Sequence, residues 1–145
     1  MTNITLERVL VFEVGDLACA VPAGVTREVL APAPSTRLPG APEAVAGLVN
    51  IRGNLLTVID AHRLLGRPAR PDHEGAIVAL EVFDRSCGLR VGRVVDLVAV
   101  PAEAVAGRDQ LPGVDPRIVL AVGRHQDQPF VLLDLEELLR PIMGT

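Results

Sequence analysis

Residues 45–60, VAGLVNIRGNLLTVID, carry the pattern on which the predicted fold depends. Two apolar runs, Val45–Val49 and Leu55–Ile59, are each long enough for a buried β-strand. Between them lies the polar segment 50–54, with Gly53 where a tight reversal needs a positive φ. The stretch therefore predicts a β-hairpin that lies deep in the fold.

Arg52 stands in the predicted turn, beside strands that are expected to be buried. A guanidinium is costly to bury unless a carboxylate pairs with it, so Arg52 predicts an acidic partner elsewhere in the chain. The alternative is an exposed turn arginine that has no role in structure or function.

The composition limits the kind of protein that the chain can form. Its 145 residues fit one compact domain, or two very small ones that share a core. Hydrophobic residues make up 49%, yet there is no Trp or Tyr and there are only three Phe, so the core must be built from Val, Leu, Ile and Ala. No apolar run approaches the ~18 residues of a membrane span, and the first ten residues lack a secretory signal pattern, so a cytoplasmic protein is expected.

The charge pattern argues against nucleic acid as a partner. The formal net charge is −4, and all 14 cations are arginines that are not clustered. A surface that follows phosphates needs clustered cations, and binding of single strands needs stacking aromatics. The composition provides neither, so an SH3-like nucleic-acid binder is the weaker alternative.

The first third of the chain predicts three further strands. Val9–Val14 and Leu17–Val21 flank the pair Gly15-Asp16, which is a typical hairpin signal. A third apolar segment, Val25–Leu30, follows and is bounded by prolines. The opening residues therefore predict a hairpin and then a single strand.

The central hairpin is followed by signals for a short helix and a linker. Asp60 stands where a helix N-cap is expected, residues 61–65 form the helical turn, and Gly66 ends it. Residues 67–74, RPARPDHE, are polar and rich in proline and arginine, which favours a surface linker.

The second half of the chain repeats the first. Leu38-Pro39-Gly40 recurs as Leu111-Pro112-Gly113, and about six extra residues are expected near 98–110. At an offset of 68 residues, Phe12–Val14 matches Leu80–Val82, Asp16 matches Asp84, Cys19 matches Cys87, and Glu28-Val29 matches Asp96-Leu97. At an offset of 74 residues, Val58–Asp60 matches Leu132–Asp134, and Leu64-Leu65 matches Leu138-Leu139. We therefore expect one domain over residues 1–145, with a first repeat at about 9–66, the linker at about 67–74 and a second repeat at about 75–141. Two small β-barrels related by a pseudo-twofold axis would bury the many aliphatic residues.

In this order of motifs the chain resembles the CheW family of chemotaxis coupling proteins. The resemblance runs from about Val9 to Leu139 and is most specific in Gly47–Gly53 followed by Val58-Ile59-Asp60. Ala20-Val21-Pro22, Leu38-Pro39 and the terminal Leu132-Leu133-Asp134 support it. It implies an all-β fold with short helices, in which two SH3-like five-stranded barrels pack around a shared aliphatic core.

The resemblance also implies a function and a set of binding residues. The protein would be a non-enzymatic adaptor that links the cytoplasmic tip of a chemoreceptor to the regulatory domain of a CheA-type histidine kinase. Its glutamate ahead of the Leu-Pro segment, Glu28, would form a partly buried ion pair with Arg52 beside a receptor-binding groove. The implied receptor-binding residues are Thr26, Glu28, Gly47, Asn50, Arg52 and Gly53, and the implied kinase-binding residues are Leu89, Val91 and Gly92.

Departures from the family pattern leave a second interpretation open. The family usually has Gly-Leu-x-Val-Asp where this chain has Gly88–Gly92, and Asp-Leu-Arg where it has Asp60-Ala61-His62. An aspartate is thus replaced by Gly92. The alternative is a receptor-only adaptor that binds little or no kinase.

Residues that suggest catalysis or metal binding have simpler explanations. Cys19 and Cys87 lie at equivalent repeat positions in apolar strands without CxxC spacing, which favours core thiols. His62, His73 and His125 show no metal-binding spacing and are expected to be solvated. With no nucleophile elbow and no phosphate loop, an enzyme or small-molecule binder is a weaker reading, and neither a cofactor nor a metal is expected.

Overall fold

The computed structural model describes residues 7–71, 73–100 and 114–143. Strands predominate in this part of the chain, and two helices and two short 3₁₀ turns, Ala23–Val25 and Pro116–Ile118, accompany them. The elements are β1 (Glu7–Val14), β2 (Leu17–Pro22), β3 (Thr26–Leu30), β4 (Val45–Ile51), β5 (Asn54–Asp60), α1 (Ala61–Leu64), β6 (Ala76–Val82), β7 (Arg85–Val91), β8 (Arg93–Val100), β9 (Val119–His125), β10 (Gln128–Leu133) and α2 (Leu135–Met143).

The strands form two five-stranded sheets, so the predicted all-β class is confirmed. Sheet I has the order β8-β1-β2-β10-β9, and sheet II has the order β3-β6-β7-β5-β4. Each sheet is antiparallel except for one central parallel pair, β2 with β10 and β5 with β7. The two hairpins and the strand predicted in the first sixty residues are present, with ends that differ by one or two residues.

The sheets do not follow the two halves of the sequence. Sheet I joins β1 and β2 of the first half to three strands of the second half, and sheet II joins β6 and β7 to three strands of the first half. The two repeats have therefore exchanged their leading hairpins. Each half depends on the other for a complete sheet.

The exchange is symmetric, because equivalent strands hold equivalent places in the two orders. The pairing of Val58 with Gly88 in sheet II corresponds to that of Leu132 with Ala20 in sheet I. A register shift next to Glu28 in β3 likewise has its counterpart where β8, at Asp96, pairs with β1. The offsets of 68 and 74 residues are thus structural equivalences. The Leu111-Pro112-Gly113 recurrence lies outside the described residues, as does most of the segment expected to hold the six extra residues.

Three apolar clusters hold the sheets together. The largest lies between them and contains Phe12, Ile59, Leu80, Leu89, Leu133 and Leu139 among its buried members. Sheet I covers a smaller cluster with Phe130, and sheet II covers another with Ile77. A Cβ on Gly123 would lie 2.4 Å from the Phe130 ring, so the ring can pack in the sheet I cluster only because residue 123 is a glycine. A shared aliphatic core between two small ones agrees with the expected arrangement.

Strand pairing does not close either sheet into a barrel within the described residues, because β3 and β4 are the edges of sheet II and β8 and β9 are the edges of sheet I. In sheet II an isolated bridge links the edges, with two 2.8 Å backbone hydrogen bonds between Thr36, just after β3, and Leu48 in β4. An ion pair between Glu28 and Arg52 joins the same two edges. The barrels expected from the sequence are therefore open sheets, and in sheet II these contacts tie the two edges together.

Candidate functional site

The tip of the β4–β5 hairpin presents the most specific part of the sequence signature. The turn consists of Arg52 and Gly53 alone, because β4 runs to Ile51 and β5 begins at Asn54. Their φ angles of 52° and 87° are both positive, as in the type I′ turns that fit twisted hairpins. The Asn50 side chain stabilises the turn, since its Oδ1 accepts a 2.9 Å hydrogen bond from the Gly53 amide.

Glu28 is the acidic partner that Arg52 was expected to have. The Arg52 Nη2 donates to the Glu28 carboxylate across the two edges of sheet II. The expected partial burial is wrong, because the two side chains are 68% and 42% exposed. An exposed pair of this kind contributes about 0–1 kcal/mol to folding. The pair therefore leaves both charged groups within reach of a partner.

Gly47 has a structural role that the sequence did not reveal. It is buried at a bulge in the β4–β5 pairing and has a φ of 141°, which L-residues rarely adopt. A Cβ built on it would lie 2.2 Å from the Thr36 carbonyl oxygen. The glycine thus allows the Thr36 segment to approach β4 and tie the sheet edges together.

Thr26 begins β3, where it is half-buried. Its Oγ1 donates a 3.2 Å hydrogen bond to the Pro22 carbonyl, across the turn that carries the chain from sheet I to sheet II. The hydroxyl is therefore engaged within the protein. Two apolar side chains near the signature are instead open to solvent, Val29 at 46% and Leu55 at 66% exposure. Leu55 lies in a strand that was expected to be buried, and no sequence pattern pointed to the exposure of Val29.

The candidate kinase-binding residues lie in or next to the core. Leu89 and Val91 are buried in the large cluster between the sheets, so their side chains are not available to a partner in this structure. Gly92 lies between β7 and β8, and its amide donates a 2.8 Å hydrogen bond to the Glu13 carbonyl. A Cβ at Gly92 would lie 2.9 Å from that oxygen, so glycine fits a close contact between the sheets here.

His62 is not solvated, contrary to the sequence-based expectation. It lies on α1 with 1% of its surface exposed, and its Nδ1 is 3.4 Å from the Asp60 carboxylate. Among the residues that the structure describes, neither ring nitrogen has a hydrogen-bond partner. Burial disfavours the imidazolium and lowers the pKa of His62, and the nearby Asp60 opposes this only in part. The Asp60 N-cap itself is as predicted, since its side chain accepts from the His62 amide at 2.9 Å.

Arg90 is a second buried polar residue whose burial was not predicted from the sequence. It is 2% exposed, and its Nη2 donates a 3.0 Å hydrogen bond to the Ala33 carbonyl. An arginine inside the apolar run Leu89–Val91 was the available signal. Because a buried guanidinium needs several acceptors, such a position predicts a packed polar contact rather than a binding site.

The two thiols are core residues, as predicted. Cys19 and Cys87 are free and buried in the large cluster. Burial raises the pKa of Cys19 to about 12 and that of Cys87 to about 11. Both groups are therefore protonated at neutral pH.

Two further findings concern the described residues only. No group of three or more His, Cys, Asp or Glu side chains is arranged to hold a metal ion in residues 7–71, 73–100 and 114–143. Within the same ranges, none of the helices has the length and apolarity needed to cross a membrane.

The fold and the signature residues exposed at the β4–β5 tip are those of a CheW-type scaffold domain. The model of the CheW-like domain family matches residues 8–142, so the chain belongs to this family. The chemotaxis protein CheW of Rhizobium meliloti (strain 1021) is 35% identical over 92 residues, which are 63% of this chain and 59% of that protein. A probable CheW of Rhizobium etli is 32% identical over 97 residues, or 66% of this chain and 63% of that protein. The match thus spans less than two thirds of the length of either relative.

Two other similar proteins extend the comparison. Protein PilI of Pseudomonas aeruginosa is 28% identical over 124 residues, covering 83% of this chain and 68% of that protein. The crystal structure of the scaffolding protein TtCheW from Thermoanaerobacter tengcongensis superposes with a TM-score of 0.84 over 97% of both chains, at 20% sequence identity. At that identity the superposition establishes the fold alone.

Proposed function

We propose that this chain is a non-enzymatic adaptor that links the cytoplasmic tip of a chemoreceptor to a CheA-type histidine kinase. The observation that carries the proposal is the match to the CheW-like domain over residues 8–142, together with the signature residues that stand exposed at the β4–β5 tip. The similarity to the scaffolding protein TtCheW and to the chemotaxis protein CheW of Rhizobium meliloti supports it. The adaptor acts by position and needs neither a cofactor nor a metal.

The receptor-binding surface consists of the hairpin tip and the adjoining edge strand. Asn50, Arg52 and Glu28 offer hydrogen-bonding and charged groups, and Val29 and Leu55 offer exposed apolar surface beside them. A helical receptor tip presents side chains at helical spacing, and such a surface of mixed chemistry can bind them. Gly47, Gly53 and Thr26 contribute by shaping the backbone, because their own side chains are absent or engaged.

The adaptor would transmit a signal through geometry. When receptor and kinase are held in one assembly, a movement of the receptor can shift the equilibrium between the active and inactive states of the kinase. The size of the shift is set by the difference in contact free energy between these two states. The protein would work in the cytoplasm, next to receptor arrays. Its net charge of −4 favours protein over nucleic acid as the partner.

A receptor-only adaptor is the second candidate, and one observation favours it. Leu89 and Val91 are buried and the Gly92 amide is bonded to Glu13, which removes the candidate side-chain contacts for a kinase. Kinase binding then has to use other surfaces.

The receptor surface can be tested with Arg52→Ala. Arg52 is exposed and contributes little to folding, so the variant should keep its melting temperature and bind a purified receptor tip about tenfold more weakly, as for a hot-spot arginine. Arg124→Ala, which removes an exposed arginine at the equivalent hairpin of sheet I, serves as the matched control. Unchanged receptor binding by Arg52→Ala would exclude this surface.

A further inference from the structure

A cleft of about 450 Å³ lies where the β6–β7 turn meets the start of β3 and the start of α2, and β4 and β5 contribute none of its lining residues. Its apolar lining includes Val25, Phe83 and Leu120, and Leu120 is 50% exposed at the surface. Four carboxylates also line it, those of Glu81, Asp84, Asp134 and Glu136, together with the guanidinium of Arg27. A second guanidinium, that of Arg140, lies 5.7 Å from the centre of the Phe83 ring. The cleft therefore combines apolar walls with a net negative rim.

The internal symmetry shows how unusual this charge is. The equivalents of Glu81, Asp84 and Asp134 are Glu13, Asp16 and Asp60. Each of these three meets an arginine of this chain. Glu13 pairs with Arg93 at 2.9 Å, Asp16 with Arg67 at 3.0 Å, and Asp60 with Arg63 at 3.8 Å.

The corresponding arginines are missing at the cleft. Val25, Pro141 and Glu137 stand at the positions equivalent to Arg93, Arg67 and Arg63. Arg27 compensates in part, because it pairs with Glu81 at 2.6 Å. Asp84 and Asp134 have no ion-pair partner within the described ranges 7–71, 73–100 and 114–143.

The cleft and its symmetry-equivalent side also differ in the side chains that fill them. Two other cleft residues, Pro22 and Glu136, correspond to Arg90 and His62. Arg90 and His62 are both buried, at 2% and 1% exposure, whereas Glu136 is exposed. A smaller cleft of about 220 Å³ lies on the symmetry-equivalent side, where Ala46 and Asp60 are among its lining residues. The large polar side chains of Arg90 and His62 thus take up part of the space that is open in the larger cleft.

We propose that this cleft, which we call the acidic cleft, binds a partner segment that carries an arginine or lysine next to an apolar side chain. The cation would meet Asp84 and Asp134, as Arg67 and Arg63 meet their equivalents, and the apolar side chain would pack on Leu120 and Phe83. Opposite charge across such a surface speeds association and excludes acidic competitors. This inference does not depend on receptor binding at the β4–β5 tip.

The test uses a fluorescein-labelled peptide in which leucine and arginine alternate, with a leucine–glutamate peptide as the reference. Fluorescence anisotropy at moderate salt should show binding of the first peptide only. Amide chemical shifts of the full-length protein should change around Leu120 and Asp84. The double variant Asp84→Asn/Glu136→Gln should weaken binding by about tenfold, and both residues are exposed, so it should fold.

Two controls make the result decisive. Asp16→Asn changes the symmetry-equivalent carboxylate and should leave the peptide affinity within about twofold of wild type. Arg52→Ala should also leave it unchanged, which separates this cleft from the receptor surface. No binding of the arginine peptide, equal weakening by Asp16→Asn, or shift changes confined to the β4–β5 tip would each overturn the proposal.

Discussion

Replacing Gly47 by alanine should destabilise the fold, although the resemblance to CheW assigned this residue to receptor binding. The new Cβ would lie 2.2 Å from the Thr36 carbonyl oxygen and 2.6 Å from the carbonyl carbon. Both atoms belong to the backbone, so no side-chain rotation can relieve the overlap. The Thr36 segment must then move away from β4.

The size of the effect follows from the contacts that are lost. Two backbone hydrogen bonds of 2.8 Å link Thr36 and Leu48, and each contributes about 1 kcal/mol. A φ of 141° adds about 1–3 kcal/mol of strain for a residue with a Cβ. The free energy of unfolding should therefore fall by about 3–5 kcal/mol, out of a total that is about 5–15 kcal/mol for a typical domain.

Urea unfolding measures this change. With a slope of about 2 kcal/mol/M, the midpoint should fall by about 1.5–2.5 M. Gly24→Ala is the matched control, because no atom lies within 4 Å of its added Cβ. That variant should stay within about 1 kcal/mol of wild type. If the two variants unfolded at the same midpoint, the structural role assigned to Gly47 would be refuted.

Three further predictions concern the linker, the buried histidine and the thiols. Two glycines inserted after Arg70 should lower the free energy of unfolding by less than about 1 kcal/mol, because lengthening an exposed loop adds little to the entropy cost of closing it. An insertion variant that fails to fold would contradict the linker assignment. Burial lowers the pKa of His62 in the folded state, so the unfolded chain binds the proton at a higher pH than the folded protein does. The free energy of unfolding should therefore fall as the pH drops below about 6.5. In urea titrations His62→Phe should reduce this pH dependence, and His73→Ala, at an exposed site, should not. Cys19 and Cys87 have pKa values of about 12 and about 11, so they should react with a thiol reagent at about pH 8 only after the protein is unfolded in urea. Rapid labelling of the native protein would show instead that the core opens.

Local signals explain what the sequence predicted well. The turn pair Gly15-Asp16, the N-cap Asp60 and the glycine at position 53 each determine the conformation of a few neighbouring residues, and all three features are present. The partner of Arg52 was also identified, since the family pattern pointed to Glu28. These features depend on short stretches or on a known motif.

The remaining features depend on contacts between distant parts of the chain. Periodicity predicts strands but not their neighbours, so the exchange of leading hairpins between the sheets was not foreseen. The burial of His62 depends on how α1 packs against the sheets, which a four-residue helix cannot reveal by its own pattern. The open edges of β3 and β4 likewise follow from packing, and they are the reason that the Glu28–Arg52 pair is exposed.

The central claim is that this chain joins a receptor to a kinase. The most direct measurement is co-sedimentation of the kinase regulatory domain with receptor tips fixed on vesicles, with and without the adaptor. We predict that kinase sediments only when the wild-type adaptor is present, and that Arg52→Ala reduces the sedimented kinase about tenfold at a limiting adaptor concentration. Sedimentation of the adaptor without kinase would support the receptor-only alternative, and sedimentation of neither protein would contradict the account.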